Sequence, residues 1–133
     1  MEELALPAAR PSVGRARDFV RAALAERGVD TWMLELLTSE LASNVVVHSQ
    51  TDFTIMIRLD AHVRIEIHDG AAATEAFREL IGNPPEFTEG SPGGRGLPLV
   101  QRLSSRFGLA DEPGVRNGKV VWFELDWDDL GVG

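Results

Sequence analysis

The sequence predicts an α+β fold, a two-layer sandwich in which helices cover one face of a mostly antiparallel sheet. Three observations support that expectation. Apolar residues recur every three or four positions through the first third of the chain, which is helical spacing. Two adjacent segments then switch to strict alternation with a short link between them, and a third alternating segment lies near the end. Helices and strands are therefore segregated, which disfavours a doubly wound parallel sheet.

The first dozen residues, rich in Pro and Ala, fit either an edge strand or an arm. Over residues 13–27, Val13, Ala16, Phe19, Val20, Ala23 and Leu24 share one helical face, and Gly28 suits the stop. Asp30 is a good N-cap for a second helix, whose buried stripe of Leu34, Leu37, Leu41 and Val45 runs to about His48. Phe53, Ile55, Ile57 and Leu59 make one alternating strand, and Val63, Ile65 and Ile67 make the next. Asp60-Ala61-His62 joins the two as a hairpin. Between Asp69 and Gly96 no period is sustained, and Gly82-Asn83-Pro84-Pro85 and Ser91-Pro92-Gly93-Gly94 interrupt the chain; a connection of this length predicts a lid, a binding loop or a disordered segment. Residues 97–107 return to helical spacing, with Pro98 tolerated in the first turn and Gly108 placed at the end. Last, Val121, Phe123, Leu125 and Trp127 alternate with Val120, Trp122, Glu124 and Asp126, giving a strand with one clearly apolar face.

With 133 residues the chain suits a single domain. Its formal charge of −8 repels polyanions, so direct nucleic-acid binding is disfavoured. The absence of cysteine excludes disulfides and thiolate metal sites. No apolar run approaches the roughly twenty residues of a membrane helix, and Glu2 and Glu3 before Leu4 are unlike a secretory signal, which together predict a cytoplasmic protein.

Glu40, Asn44 and His48 follow one another at four-residue intervals and so share a helix face. Asn44 offers a neutral oxygen to Mg²⁺, an ion that prefers oxygen ligands and keeps several waters. Glu40, one turn earlier, could accept a proton from an incoming hydroxyl. On pattern alone the favoured reading of both residues is a solvated helix face. Gly94-Arg95-Gly96 before a helix forms a candidate anion cradle, because glycine lets a phosphate approach the backbone and the first helical N–H groups lack partners. Such a turn is also ordinary punctuation between elements. Asp69, at the end of a strand and expected at a sheet edge, could accept a hydrogen bond from an exocyclic amine, the alternative being a plain Asp-Gly turn. His48, His62 and His68 do not make a metal set, so zinc is disfavoured and His48 is expected to border the site. The tryptophans suit a core or an interface, with Trp122 expected on a partner-facing surface.

Taken in order, these segments resemble the ATPase superfamily shared by gyrase, heat-shock chaperones and sensor histidine kinases, the GHKL or Bergerat-fold proteins. Within it the chain looks most like the small bacterial anti-sigma factor serine/threonine kinases, notably the actinobacterial kind. The matching stretches are Ser39-Glu40-Leu41-Ala42-Ser43-Asn44-Val45-Val46-Val47-His48, then Asp69, then Gly94-Arg95-Gly96-Leu97-Pro98-Leu99-Val100, then Gly118-Lys119-Val120-Val121-Trp122-Phe123-Glu124-Leu125. Coverage runs from about Pro11 to Asp126.

The resemblance implies one ATPase domain over residues 1–133, with residues 71–96 as its ATP lid. It implies ATP and Mg²⁺ as cofactors, Glu40 as the catalytic base and Asn44 as the magnesium ligand. It also implies Asp69 as the partner of the adenine amino group, with Gly94, Arg95, Gly96 and Leu97 at the phosphates and His48 beside the nucleotide. Such proteins phosphorylate a serine on an anti-anti-sigma factor of the STAS type and sequester a sigma factor, without touching DNA, and the resemblance points to a homodimer. Two positions depart from the family pattern: Ala71 stands where the glycine after the aspartate is often found, and Val120 where a threonine is usual. Each predicts weakened ATP binding, with a module acting only by partner sequestration as the alternative function.

Overall fold

The computed structural model describes residues 1–82, 96–110 and 118–133. Strands Glu2–Leu6 (β1), Phe53–Leu59 (β2), His62–Asp69 (β3), Arg106–Ala110 (β4) and Lys119–Asp126 (β5) form one sheet in the order β1-β2-β3-β5-β4, every neighbouring pair antiparallel. Helices Pro11–Ala23 (α1), Trp32–Asn44 (α2), Glu75–Gly82 (α3) and Gly96–Leu103 (α4) complete the α+β sandwich expected from the sequence.

Alternation in the strands builds the core. Ile55, Ile67 and Val121 lie side by side across β2, β3 and β5, followed by Ile57, Ile65 and Phe123, then Leu59, Val63 and Leu125. All of these except Leu59 are buried, together with the helical stripe of Ala16, Val20, Leu34, Leu37, Leu41 and Val45. Each such aliphatic side chain withdrawn from water contributes about 1.5–3 kcal/mol, so the matched stripes fix which sheet face meets the helices. The opposite face carries Thr54, Arg64, His68, Val120, Trp122 and Glu124, all half-buried. Among the described residues no helix is long and apolar enough to cross a membrane.

Helix boundaries follow local chemistry. Pro11 occupies the first turn of α1, where its missing N–H costs no bond. The chain turns at Gly28, whose φ of +69° suits glycine. Asp30 assists the start of α2 by accepting the Trp32 N–H at 3.0 Å, although Thr31 occupies the N-cap position itself. The first residues settle as an edge strand, with Leu6 buried against the core.

Several expectations are corrected. The helix anticipated over residues 97–107 stops at Leu103, because Ser105 N–H already bonds Glu124 O at 2.9 Å and opens the β4 ladder. Gly108 consequently ends no helix. A Cβ there would lie 2.9 Å from Trp122 Cζ2, so the glycine makes room for the indole of the neighbouring strand. Within the segment that showed no period, α3 forms behind Thr74, whose Oγ1 accepts the Phe77 N–H at 3.1 Å. Asp69 lies not at a sheet edge but at the end of β3, the middle strand of five. Trp122 is half-buried, with the Arg64 guanidinium 4.1 Å from its ring centre, whereas Trp32 is the exposed tryptophan.

Candidate functional site

A cleft of about 450 Å³ opens between the end of α2, the end of β3, the start of β5, α3 and the first turn of α4. That volume falls within the range of small-molecule sites. Leu41, Val45, Ile67, Leu97 and Val121 give it apolar walls, and Asn44, Ser49, Asp69 and Lys119 supply the polar groups.

Local backbone geometry places the first of these. Beyond Asn44 the helix widens into a π-helical turn, Val45–Ser49, in which Gln50 N–H bonds Val45 O at 2.7 Å before Gln50 breaks the helix with φ of +55°. Such i→i+5 turns change which side chains share a face and often occur at functional sites. Here the turn leaves Asn44, His48 and Ser49 all lining the cleft.

The cleft floor is an ion pair. Lys119 Nζ lies 3.1 Å from both carboxylate oxygens of Asp69, 3.0 Å from Ser49 Oγ and 3.4 Å from Ala71 O. Asp69 also accepts the Ala71 N–H at 2.8 Å and the Ser49 hydroxyl at 3.3 Å. The two charged side chains are only 1% and 7% exposed, for Asp69 and Lys119 respectively. Buried charges persist when paired and hydrogen-bonded, and both conditions hold. The Phe77 ring of α3 adds a cation-π contact, its centre 5.0 Å from Nζ. Gly118 permits the approach of β5, since a Cβ on it would fall 2.0 Å from Asp69 O.

The fold thus brings Asn44, His48, Asp69 and Leu97 to one cleft from three separate parts of the chain. Glu40 stands one turn before Asn44 on α2, half-buried and outside the set of cleft-lining residues. Gly96 begins α4, next to the cleft-lining Leu97. The expected roles of Gly94 and Arg95, and half of the proposed lid, fall on residues outside the described ones.

Sequence reasoning missed Lys119 and Ser49. Lys119 had a signal: it shares parity with Val121, Phe123 and Leu125, so the alternation that defines the buried face of β5 also turns Lys119 inward. The same parity turns Val120 outward, in register with His68. Val120, which stands where a threonine is usual, therefore points away from the carboxylate, and Lys119 is the residue that faces it. Ala71 supports Asp69 through its backbone N–H, a contact that any residue except proline could make.

The residues suit a purine nucleotide, with apolar walls for the base faces and a polar floor for its edge. For magnesium the described residues contain no cluster of three or more His, Cys, Asp or Glu side chains. A single Asn44 oxygen fits an ion whose remaining ligands are phosphates and water.

An open antiparallel sheet backed by helices, with a cleft of small-molecule size at the end of its middle strand, defines an α+β ligand-binding domain. Residues 6–125 match the family described as histidine kinase-like ATPase domain, and the chain belongs to that family, part of the GHKL superfamily. Similar solved structures include the catalytic domain of histidine kinase ThkA in three nucleotide-free forms, with TM-scores of 0.53, 0.53 and 0.54. The matches cover 95% of this chain and 96–98% of those domains at 15–16% identity, a likeness of fold. No curated protein sequence matches the chain significantly.

Proposed function

We propose that this protein is an ATP- and magnesium-dependent serine kinase that phosphorylates an anti-anti-sigma protein of the STAS type and sequesters a sigma factor. The observation that supports it best is the convergence of Asn44 and Asp69 on one apolar-walled cleft, in a chain that also carries Glu40 one helical turn before Asn44. When bound, magnesium supplies charge neutralisation at the phosphates. Asn44 would hold the ion through its amide oxygen, and Asp69 would accept a hydrogen bond from the edge of the base. The first N–H groups of α4 would be available to the phosphates, since a helix start favours anions. Glu40 takes the proton of the target serine hydroxyl as it attacks.

Incubation with γ-labelled ATP and the cognate antagonist protein tests this reading. Labelled serine is expected with the wild type and is expected to be lost with Glu40→Ala. Undiminished transfer by that variant would remove Glu40 from the role.

A second reading, a sequestering module with impaired ATP binding, draws support from the contacts that already occupy Asp69. Stoichiometric sigma capture with no heat of Mg-ATP binding would favour it.

A further inference from the structure

The cleft floor is closed on itself. Each hydrogen of the Lys119 ammonium has a partner: the Asp69 carboxylate at 3.1 Å, Ser49 Oγ at 3.0 Å and Ala71 O at 3.4 Å. Asp69 is equally saturated. A carboxylate has about four acceptor directions, and here Oδ1 takes the Ala71 N–H and Lys119 while Oδ2 takes Ser49 and Lys119. The Asp69 side chain is only 1% exposed, so an amine reaches it only when one of these donors moves. The Ala71 N–H belongs to the main chain, and Ser49 is held in the π-helical turn. Lys119 carries its charge on a flexible four-carbon stem and is the more exposed of the pair, so it is the donor that yields.

We infer that Lys119 is an affinity- and specificity-determining residue, a built-in competitor that occupies on Asp69 the hydrogen-bonding place of an adenine amino group. This deepens the proposed nucleotide function and rests on it. The ligand class stays that of adenine nucleotides, and what Lys119 sets is how much the amino group adds to their binding. An amine that enters the floor gains a bond to Asp69 and costs the floor the bond from Lys119, so the exchange is nearly even. A carboxylate with an open acceptor direction would instead gain a bond to a charged group outright, about ten-fold in affinity or more. The Phe77 ring, whose centre is 5.0 Å from Nζ, adds to what holds the ammonium in the competing position. Shortening the side chain at position 119 is therefore expected to tighten binding, the reverse of the usual result of removing a polar group from a site.

Calorimetric titration of the whole chain in Mg²⁺ with ADP and with purine riboside 5′-diphosphate, the same nucleotide without the 6-amino group, tests the inference. The wild type is expected to bind the two within about five-fold of each other. Lys119→Thr suits a strand, shortens the stem and leaves Asp69 a hydroxyl, and it is expected to raise the preference for ADP about ten-fold by tightening ADP. Lys119→Arg, which keeps a charged donor on a long stem, is expected to show no such gain. A lysine that only supports the fold would move both ligands together in Lys119→Thr, and an unchanged ratio overturns the inference. Wild-type preference for ADP beyond five-fold also overturns it, in a comparison that needs no variant to fold, and leaves the ATP reading standing. Binding of neither ligand, by the wild type or by Lys119→Thr, refutes both.

Discussion

Gly118→Ala is the substitution whose effect can be worked most directly from the geometry. Asp69 and Lys119 are the last register pair of β3 and β5, and Gly118 is the next residue out. A Cβ built there lies 2.0 Å from Asp69 O and 3.1 Å from Asp69 C, and Cβ contacts essentially never fall below 3.0 Å. The start of β5 must therefore retreat from Asp69 by about 1 Å, and because the obstacle is backbone, no rotamer change relieves it. Overpacking of this kind costs about 1–3 kcal/mol. The retreat also stretches contacts between two buried charges, where leaving one partner uncompensated adds to the loss. Urea unfolding followed by circular dichroism should show a lower midpoint at unchanged slope, and Tm should fall by roughly 5–10 °C for a domain of this size. Nucleotide affinity should fall with it, since the floor of the cleft is what moves. Gly70→Ala is the control on the adjoining turn: its added methyl would meet only Thr51 side-chain atoms, at 3.5–3.6 Å, which is ordinary contact. That variant is expected within about 0.5 kcal/mol of wild type. A Gly118→Ala protein as stable as wild type and Gly70→Ala would refute the claim that close approach of β5 to Asp69 organises the site.

Two further predictions concern different faces of the molecule. On the sheet face away from the helices, the His68 hydrogen bond holds the Glu66 carboxyl far below its ordinary value, at about 2, helped by the hydrogen bond and charge of Arg64 and the charge of Arg58 and opposed by burial. A lowered carboxylate pKa stabilises the fold fully above the ordinary value of 4.5 and loses that contribution as pH falls toward 2. The loss is on the order of 3 kcal/mol, so urea midpoints measured from pH 7 down to 2.5 should fall less steeply for Glu66→Gln than for wild type, and parallel curves would contradict the assignment. In the cleft, Asn44→Ala should lower nucleotide affinity about ten-fold in Mg²⁺ and little in EDTA, and an unchanged magnesium dependence in calorimetry would exclude Asn44 as a ligand.

The fold was legible wherever one periodicity ran long enough to leave no choice. The hairpin of β2 and β3 and the buried stripe of α2 are examples, because a slip of one residue would turn Ile55, Ile57, Ile65 and Ile67 from the core to water. Short elements were not legible. β4 has five residues, and its Phe107 continues the helical spacing of Val100 and Leu103, so only the sheet-edge bond from Ser105 reveals where the helix yields. α3 has eight residues and depends on its packing and on the Thr74 cap rather than on a long amphipathic pattern.

The site divides along the same physical line. Asn44 and Asp69 were visible because a polar residue beside an apolar stripe, or at the end of an apolar strand, breaks an otherwise regular pattern. Ser49 was hidden because an α-helical reading from Asn44 places His48, not its neighbour, on the shared face, and nothing in Val45-Val46-Val47-His48-Ser49 announces the extra residue in the turn. Lys119 was hidden by habit of reading rather than by lack of signal: a lysine at the mouth of a strand is usually solvated, yet its parity with Phe123 commits it to the inner face. Once inward, it needs a counter-charge, and the antiparallel register of β3 and β5 leaves Asp69 as the residue directly across. Strand parity thus marks Lys119 as inward, and the register of β3 and β5 in the structure pairs it with Asp69. In this domain the first inward residue of the last strand helps set the charge and hydrogen bonding of the carboxylate on the middle strand.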